Sequence, residues 1–396
     1  MIKLFRIVFI FLLVICSFSF FEARFIPRNI TIFAGFLCVL SAIIISIPYV
    51  FPKRTGFIVP VQLIVLSVFV SMIMANLSWG QSYLDTFKAT LPYILWIFFF
   101  YLIKIKFPIK TIEYIIVIYG IIYMIIYFYQ YTHSNSILFG WGGGDEFKED
   151  RGVIRIIIPG GGIFFLASFI ALNKMTTQKS GKWLWISLSF IGILIPILTA
   201  TRQYIAGVSL IYLFHFIKNQ QFYRKVIILT SLIAFMVYIS RSDNAIVKGI
   251  LEAQKETSQE GKDYIRIITG TYFLTQFSPD NINRVLGNGV PYVDISYYGK
   301  FVTSLFQTSS IYLDDVGIIA MYAMFGVLPV FAFFLIWFKS ITLPLPNDYY
   351  YVKYYLWFLF ITSLTSLGVY HPHYLIATVF ALYIYQVKLE EESIST

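Results

Sequence analysis

Arg202 stands in Thr199-Ala200-Thr201-Arg202, the polar break between two apolar runs. A guanidinium in apolar surroundings costs on the order of 2.5–3.5 kcal/mol at a span's centre, and less near the interface. Either the side chain snorkels to headgroups, or it faces a cavity and binds an anion. Arg151 and Arg155 are spaced i, i+4 ahead of Pro159-Gly160-Gly161-Gly162. On a helix they would share one face, and the glycines would let backbone N–H groups approach an anion at a helix N-terminus. The alternative is a surface pair with Asp145, Glu146, Glu149 and Asp150, with the glycines serving close helix packing. Arg266 lies where Tyr264, Ile267, Ile268, Tyr272 and Phe273 recur at helical spacing. On a polar helix face it would simply be solvated. Beside Arg202 it would make an anion site.

Groups that move protons are few. Asp314 and Asp315 open an apolar run ahead of Val316-Gly317. Carboxylates there complement a helix dipole, or one serves as a general base. His371-Pro372-His373 forms a short turn between the last two runs, so His373 is either structural or a proton-handling group. Cys16 and Cys38 both lie inside apolar runs, and the polar loops hold no cysteine, so the sequence proposes neither a disulfide framework nor a thiolate metal site.

The elements that must position these residues are membrane spans. Hydrophobic residues make up 58% of the chain and charged residues 13%, about half the charge of a soluble domain. Runs long enough to span lie near 4–21, 29–51, 57–76, 88–103, 111–131, 156–173, 183–200, 201–217, 225–240, 311–338, 352–369 and 374–388. The first follows Lys3 and Arg6 like a signal peptide, but Phe20-Phe21-Glu22 offers no small-residue cleavage site, so it reads as an uncleaved span. The expected fold class is an all-α polytopic membrane protein of about twelve transmembrane helices. Its organisation is helices one to nine in 1–240, one long extracytoplasmic loop with an amphipathic helix in 241–310, and helices ten to twelve in 311–390.

Charge orients the spans. With the N-terminus inside, inner segments hold 16 Lys and Arg and the short outer segments 7, which puts both termini in the cytoplasm. The net charge of +10 is dispersed among short loops, so topology explains it and nucleic acid is not an expected partner.

This pattern resembles the O-antigen polymerase and O-antigen ligase superfamily. Leu198-Thr199-Ala200-Thr201-Arg202-Gln203 is similar to the family's T-x-(S/T)-R at a span start. Arg266 through Phe277, ending in Leu286-Gly287-Asn288-Gly289-Val290, is similar to its loop pattern of an arginine, a helix and G-x-G. Tyr312-Leu313-Asp314-Asp315-Val316-Gly317-Ile318-Ile319, with Gly326, resembles the following span. The resemblance covers roughly 140–340. It implies metal-independent glycosyl transfer, without cofactor, at the outer face of a bacterial inner membrane. The substrate would be a polyprenyl-diphosphate-linked oligosaccharide polymerised into surface polysaccharide, and a chain-length regulator is an expected partner. By motif, Arg202 and Arg266 would hold the diphosphate; Arg151 and Arg155 would join them by position. The histidine that ligases of this family place before the span after the long loop has no counterpart in Gln307-Thr308-Ser309-Ser310-Ile311-Tyr312, which leaves Asp314, Asp315 or His373 as base and tilts the reading from ligase to polymerase. A transporter or flippase of lipid-linked sugars is the rival from another class.

Overall fold

Apolar composition this high folds by satisfying every backbone group within helices. A computed structural model of the chain describes residues 2–52, 55–133, 135–142, 149–150, 153–154, 156–218, 230 and 264–395, and these are 78% helix. In order the helices are α1 (Ile2–Ser17), α2 (Arg28–Ser46), α3 (Ile58–Trp79), α4 (Tyr83–Ile94), α5 (Phe98–Ile105), α6 (Ile109–Thr132), α7 (Gly161–Thr177), α8 (Lys182–Leu198) and α9 (Arg202–Lys218). After the gap come α10 (Ile265–Thr275), α11 (Asn281–Leu286), α12 (Tyr297–Ser309), α13 (Ile318–Phe325), α14 (Val327–Thr342), α15 (Tyr351–Thr362) and α16 (Pro372–Ser395). Four continuous helical stretches are long and apolar enough to cross a membrane: Arg28–Tyr49, Ile58–Trp79, Tyr83–Ile105 and Ile109–Thr132. Leu4–Ser17, Lys182–Leu198 and Val327–Thr342 are shorter apolar helices. The chain is therefore a helical protein with the makings of a membrane protein. The expected span at 225–240 lies outside the described residues except for residue 230.

The apolar run 311–338 is continuous in sequence but not in backbone. A one-turn 3-10 segment at Leu313–Asp315 leads to α13, and the helix breaks at Gly326 (φ 79°) before α14. The break leaves carbonyls without intrahelical partners, and the chain at 287–289 supplies them. Asn288 N donates to Ala323 O (3.1 Å), Gly289 N to Met324 O (2.7 Å) and the Asn288 amide to Ala323 O (2.9 Å). A Cβ on Gly287 would overlap the backbone of Met324 and Phe325, so only glycine lets the two strands of chain approach.

The segment 264–312 packs onto the helices rather than hanging from them. Ser296 caps α12 by accepting from Gly299 N (2.9 Å), and Asp280 caps α11 by accepting from Asn283 N (2.8 Å). Gln81, fully buried at the α3–α4 turn, donates to Val290 O and accepts from Tyr292 N and the Ser296 hydroxyl. Trp79 stacks on Tyr298 and Phe301 and donates from Nε1 to Asn288 Oδ1. A buried amide satisfied on every side fixes one register.

The central helix is α7, whose first half and middle are wholly buried among α6, α8, α15 and α16. At its far end Lys174 meets Glu113 at 2.7 Å, with side chains only 12% and 10% exposed, and the Tyr351 hydroxyl donates to the same carboxylate at 2.6 Å. Lys218 and Lys353 sit over the Tyr350 ring at that end. The near end of α7 carries the candidate site.

Candidate functional site

Several helix ends converge on a cavity of about 100 Å³. Its wall includes Tyr123 of α6, Gly161, Phe164 and Phe165 of α7, Ile195 and Pro196 of α8, Thr199 and Thr201 of the α8–α9 break, Tyr204 of α9, and His371, His373 and Tyr374. Trp141 and Ile156–Ile158 close one side. Trp141 and Ile157 face each other in a two-residue antiparallel pairing, which brings the chain on either side of the 143–155 segment together.

Local sequence explains the wall. The α8–α9 break turns at Ala200, fully buried and held at φ 49°, a conformation costly for a residue with a Cβ. That turn places Thr201 in the wall and starts α9 at Arg202, which is half-buried one residue away. Gly160 caps α7 at φ 97°, and Gly162 lies so near α16 that a Cβ would come within 2.7 Å of Tyr374 Cα and 3.1 Å of His373 O. The glycines thus let the start of α7 press against the histidine turn.

His371-Pro372-His373 is a helix cap. Proline takes the first helical position, and the His373 N–H donates to His371 Nδ1 at 3.3 Å. That nitrogen accepts, so the neutral ring carries its proton on Nε2. Burial pushes the His371 imidazole below its ordinary value, opposed by the Asp314 charge. The two imidazoles meet edge to face at 4.3 Å, and His373 lies 5.8 Å from the Trp141 ring. Nearby, Tyr374 donates to the Tyr204 hydroxyl at 2.9 Å, and Ser366 donates to the same oxygen at 3.2 Å.

The carboxylates flank this turn. Tyr370 donates its hydroxyl to Asp314 at 2.9 Å, and burial together with that carboxylate holds the phenol well above its ordinary value, so it stays protonated as a donor. Asp315 faces Arg266 of α10 at 3.8 Å, with side chains 39% and 28% exposed. At that distance and exposure the pair adds at most about 1 kcal/mol of stability, so it positions Arg266 more than it holds the fold.

Of the residues expected from sequence, His373 lines the cavity, Arg202 adjoins its wall, and Asp314 reaches the histidine turn through Tyr370. Arg266 is tied to Asp315, one residue from Asp314. Arg151 and Arg155 lie outside the described residues. The sequence reading missed Trp141, Tyr204, Tyr370 and Tyr374. Three of these adjoin residues it did select, two after Arg202 and on either side of the His-Pro-His turn, but among 30 tyrosines adjacency is no signal. Among the described residues, no three His, Cys, Asp or Glu side chains gather as a metal site would need.

No protein-family model matches the sequence, and no curated protein matches it.

Proposed function

We propose that this protein is a glycosyltransferase of the O-antigen polymerase and ligase superfamily, polymerising polyprenyl-diphosphate-linked oligosaccharides at the outer face of a bacterial inner membrane. The observation that carries the reading is the cavity itself. It joins the Thr199–Arg202 break, the glycine-rich start of α7 and the His-Pro-His turn at one end of the helices, with Asp314 bonded in through Tyr370. Twelve spans with cytoplasmic termini belong to the same proposal. Its support is that each apolar run outside the gap coincides with a helix or a broken helix, and that Lys174, Lys218 and Lys353 gather at the end opposite the cavity.

The acceptor hydroxyl attacks the anomeric carbon, the bond from that carbon to the diphosphate oxygen breaks, and the lipid diphosphate leaves with the electron pair. Arg202 and Arg266 bind the diphosphate, where planar guanidinium forks stabilise the growing charge on the leaving oxygen. His373, the expected base that lines the cavity, takes the hydroxyl proton on a ring nitrogen. Asp314 holds the Tyr370 hydroxyl next to the histidine turn, and Asp315 pairs with Arg266.

The rival is a flippase of the same lipid-linked sugars, favoured by the helix broken at Gly326, since broken helices line transport sites. Purified protein in detergent, given lipid-linked repeat units without nucleotide or added metal, should produce a ladder of longer chains. Folded protein that makes no ladder yet moves the substrate across vesicles overturns the polymerase reading. A single transfer onto a lipid core, without a ladder, assigns it as a ligase.

A further inference from the structure

We propose that Cys16 and Cys38 form a disulfide site that ties the first two helices together and stiffens the cavity wall. Cys16 is the penultimate residue of α1, and Cys38 lies in the middle of α2. Both are free thiols, and their sulfurs stand 3.3 Å apart. A disulfide needs about 2.05 Å, so bonding asks for roughly 1.3 Å of closure, within reach of side-chain rotation. The backbones are already close. Gly35, one turn before Cys38, lies so near Cys16 that a Cβ there would touch its carbonyl oxygen at 3.5 Å. The two cysteines of the chain thus meet each other, in a molecule whose other thiol chemistry is nil.

The hairpin they would lock is under local strain and supports the site. Ser19, Phe20, Phe21 and Glu22 follow α1 with φ of 48°, 56°, 58° and 51°. Four successive residues with side chains in the left-handed region persist only where the surroundings hold them. What holds them is the chain leading to Trp141. Gly140 N donates to Phe21 O at 3.0 Å, and Arg24 N donates to Leu138 O at 2.9 Å. The Phe18 and Phe21 rings press on Gly160, at the start of α7. Joining Cys16 to Cys38 fixes the far side of this buttress covalently, while the free thiols leave it to packing and hydrogen bonds.

The chemistry is thiol–disulfide exchange with an external disulfide, whether a small molecule or a protein. The thiolate of one cysteine attacks a sulfur of that disulfide and releases one half as a thiolate. The second cysteine's thiolate then attacks the mixed disulfide and releases the other half. The two cysteine protons end on the two released thiols, and the external disulfide takes both electrons.

The test exposes the full chain, in membranes, to dithiodipyridine, and compares it with the Cys16→Ser and Cys38→Ser variants. Wild type should release both halves of the reagent, retain none and lose the mass of two hydrogens. Each single variant should release one half and keep the other as an adduct. Dithiothreitol should restore two maleimide-reactive thiols to wild type. Adducts retained on both wild-type cysteines, no reaction in any of the three proteins, or thiols that dithiothreitol does not restore would each overturn the proposal.

Discussion

Replacing Gly162 by Ala probes the closest approach in the cavity wall. Gly162 has ordinary helical φ, so alanine strains no backbone, and in a helix it should gain up to about 1 kcal/mol from propensity. Against that, the new methyl would stand 2.7 Å from Tyr374 Cα, 3.1 Å from Tyr374 Cδ1 and 3.1 Å from His373 O. Carbon atoms pack best at about 3.5–4.0 Å, so the first contact is short by about 0.8 Å. Two of the three neighbours are backbone atoms of α16, which cannot rotate aside. Overpacking of this kind costs about 1–3 kcal/mol. The net expectation is destabilisation of up to about 2 kcal/mol, with the start of α7 pushed off the histidine turn. Gly35→Ala is the control, because its methyl meets only the Cys16 carbonyl oxygen at an ordinary 3.5 Å and keeps the propensity gain. Gly161→Ala should fall between them, since it meets the tip of the Tyr374 side chain at 3.0 Å. Thermal unfolding of the purified proteins, followed by tryptophan fluorescence, ranks the three, and chain extension of lipid-linked repeats reads the site. A Gly162→Ala protein as stable as Gly35→Ala, with undiminished transfer, would refute the argument that the wall depends on this contact.

Arg266→Lys should leave stability within about 1 kcal/mol, because its ion pair is long and exposed, yet abolish most transfer, because an ammonium cannot reproduce the guanidinium fork; a variant retaining full transfer counts against a diphosphate role. Glu113→Gln should cost about 3–5 kcal/mol by leaving the Lys174 ammonium buried and unpaired, and adding Lys174→Met should recover much of it; a double variant no better than the single one contradicts this, by the same thermal assay. His371 titrates near 6.5 when unfolded and lower when folded, so the unfolded chain takes its proton first as pH falls. Its contribution is therefore complete above about pH 6.5 and declines below it; burial lowers the neighbouring His373 as well, so His371→Asn, which keeps an acceptor for the His373 N–H, should lessen the decline between about pH 7.5 and 5 without abolishing it. A cysteine placed at Lys300 should react with an impermeant maleimide added outside cells and one at Lys179 should not, on a background lacking Cys16 and Cys38; the reverse pattern inverts the topology.

Apolar runs announce helices because each run must satisfy its own backbone, and so the helical class and most helix positions were legible in the sequence. Breaks inside a run were not. Nothing in Met324-Phe325-Gly326-Val327 says that the helix stops, because the partner that makes stopping tolerable, Asn288, lies 35 residues upstream of Ala323. The candidate site was half legible. Polar residues in apolar surroundings mark themselves by their cost, which is why Arg202, Asp314 and the His-Pro-His turn could be selected. Tyr204, Tyr374 and Trp141 carry no such mark, since an aromatic ring is at home in a core and only the fold shows which hydroxyl faces a cavity. The Arg266–Asp315 contact joins two segments that no periodicity relates.

The stitch between 287–289 and the end of α13 also makes two distant stretches of chain depend on each other. The carbonyls of Ala323 and Met324 take their donors from Asn288 and Gly289, and Asn288 is itself held by Trp79 of α3. The break at Gly326 is thus moored to α3 through a loop, and inserting one residue between Asn283 and Val290 should loosen α13 and that loop together, which thermal unfolding would show as a single loss of stability.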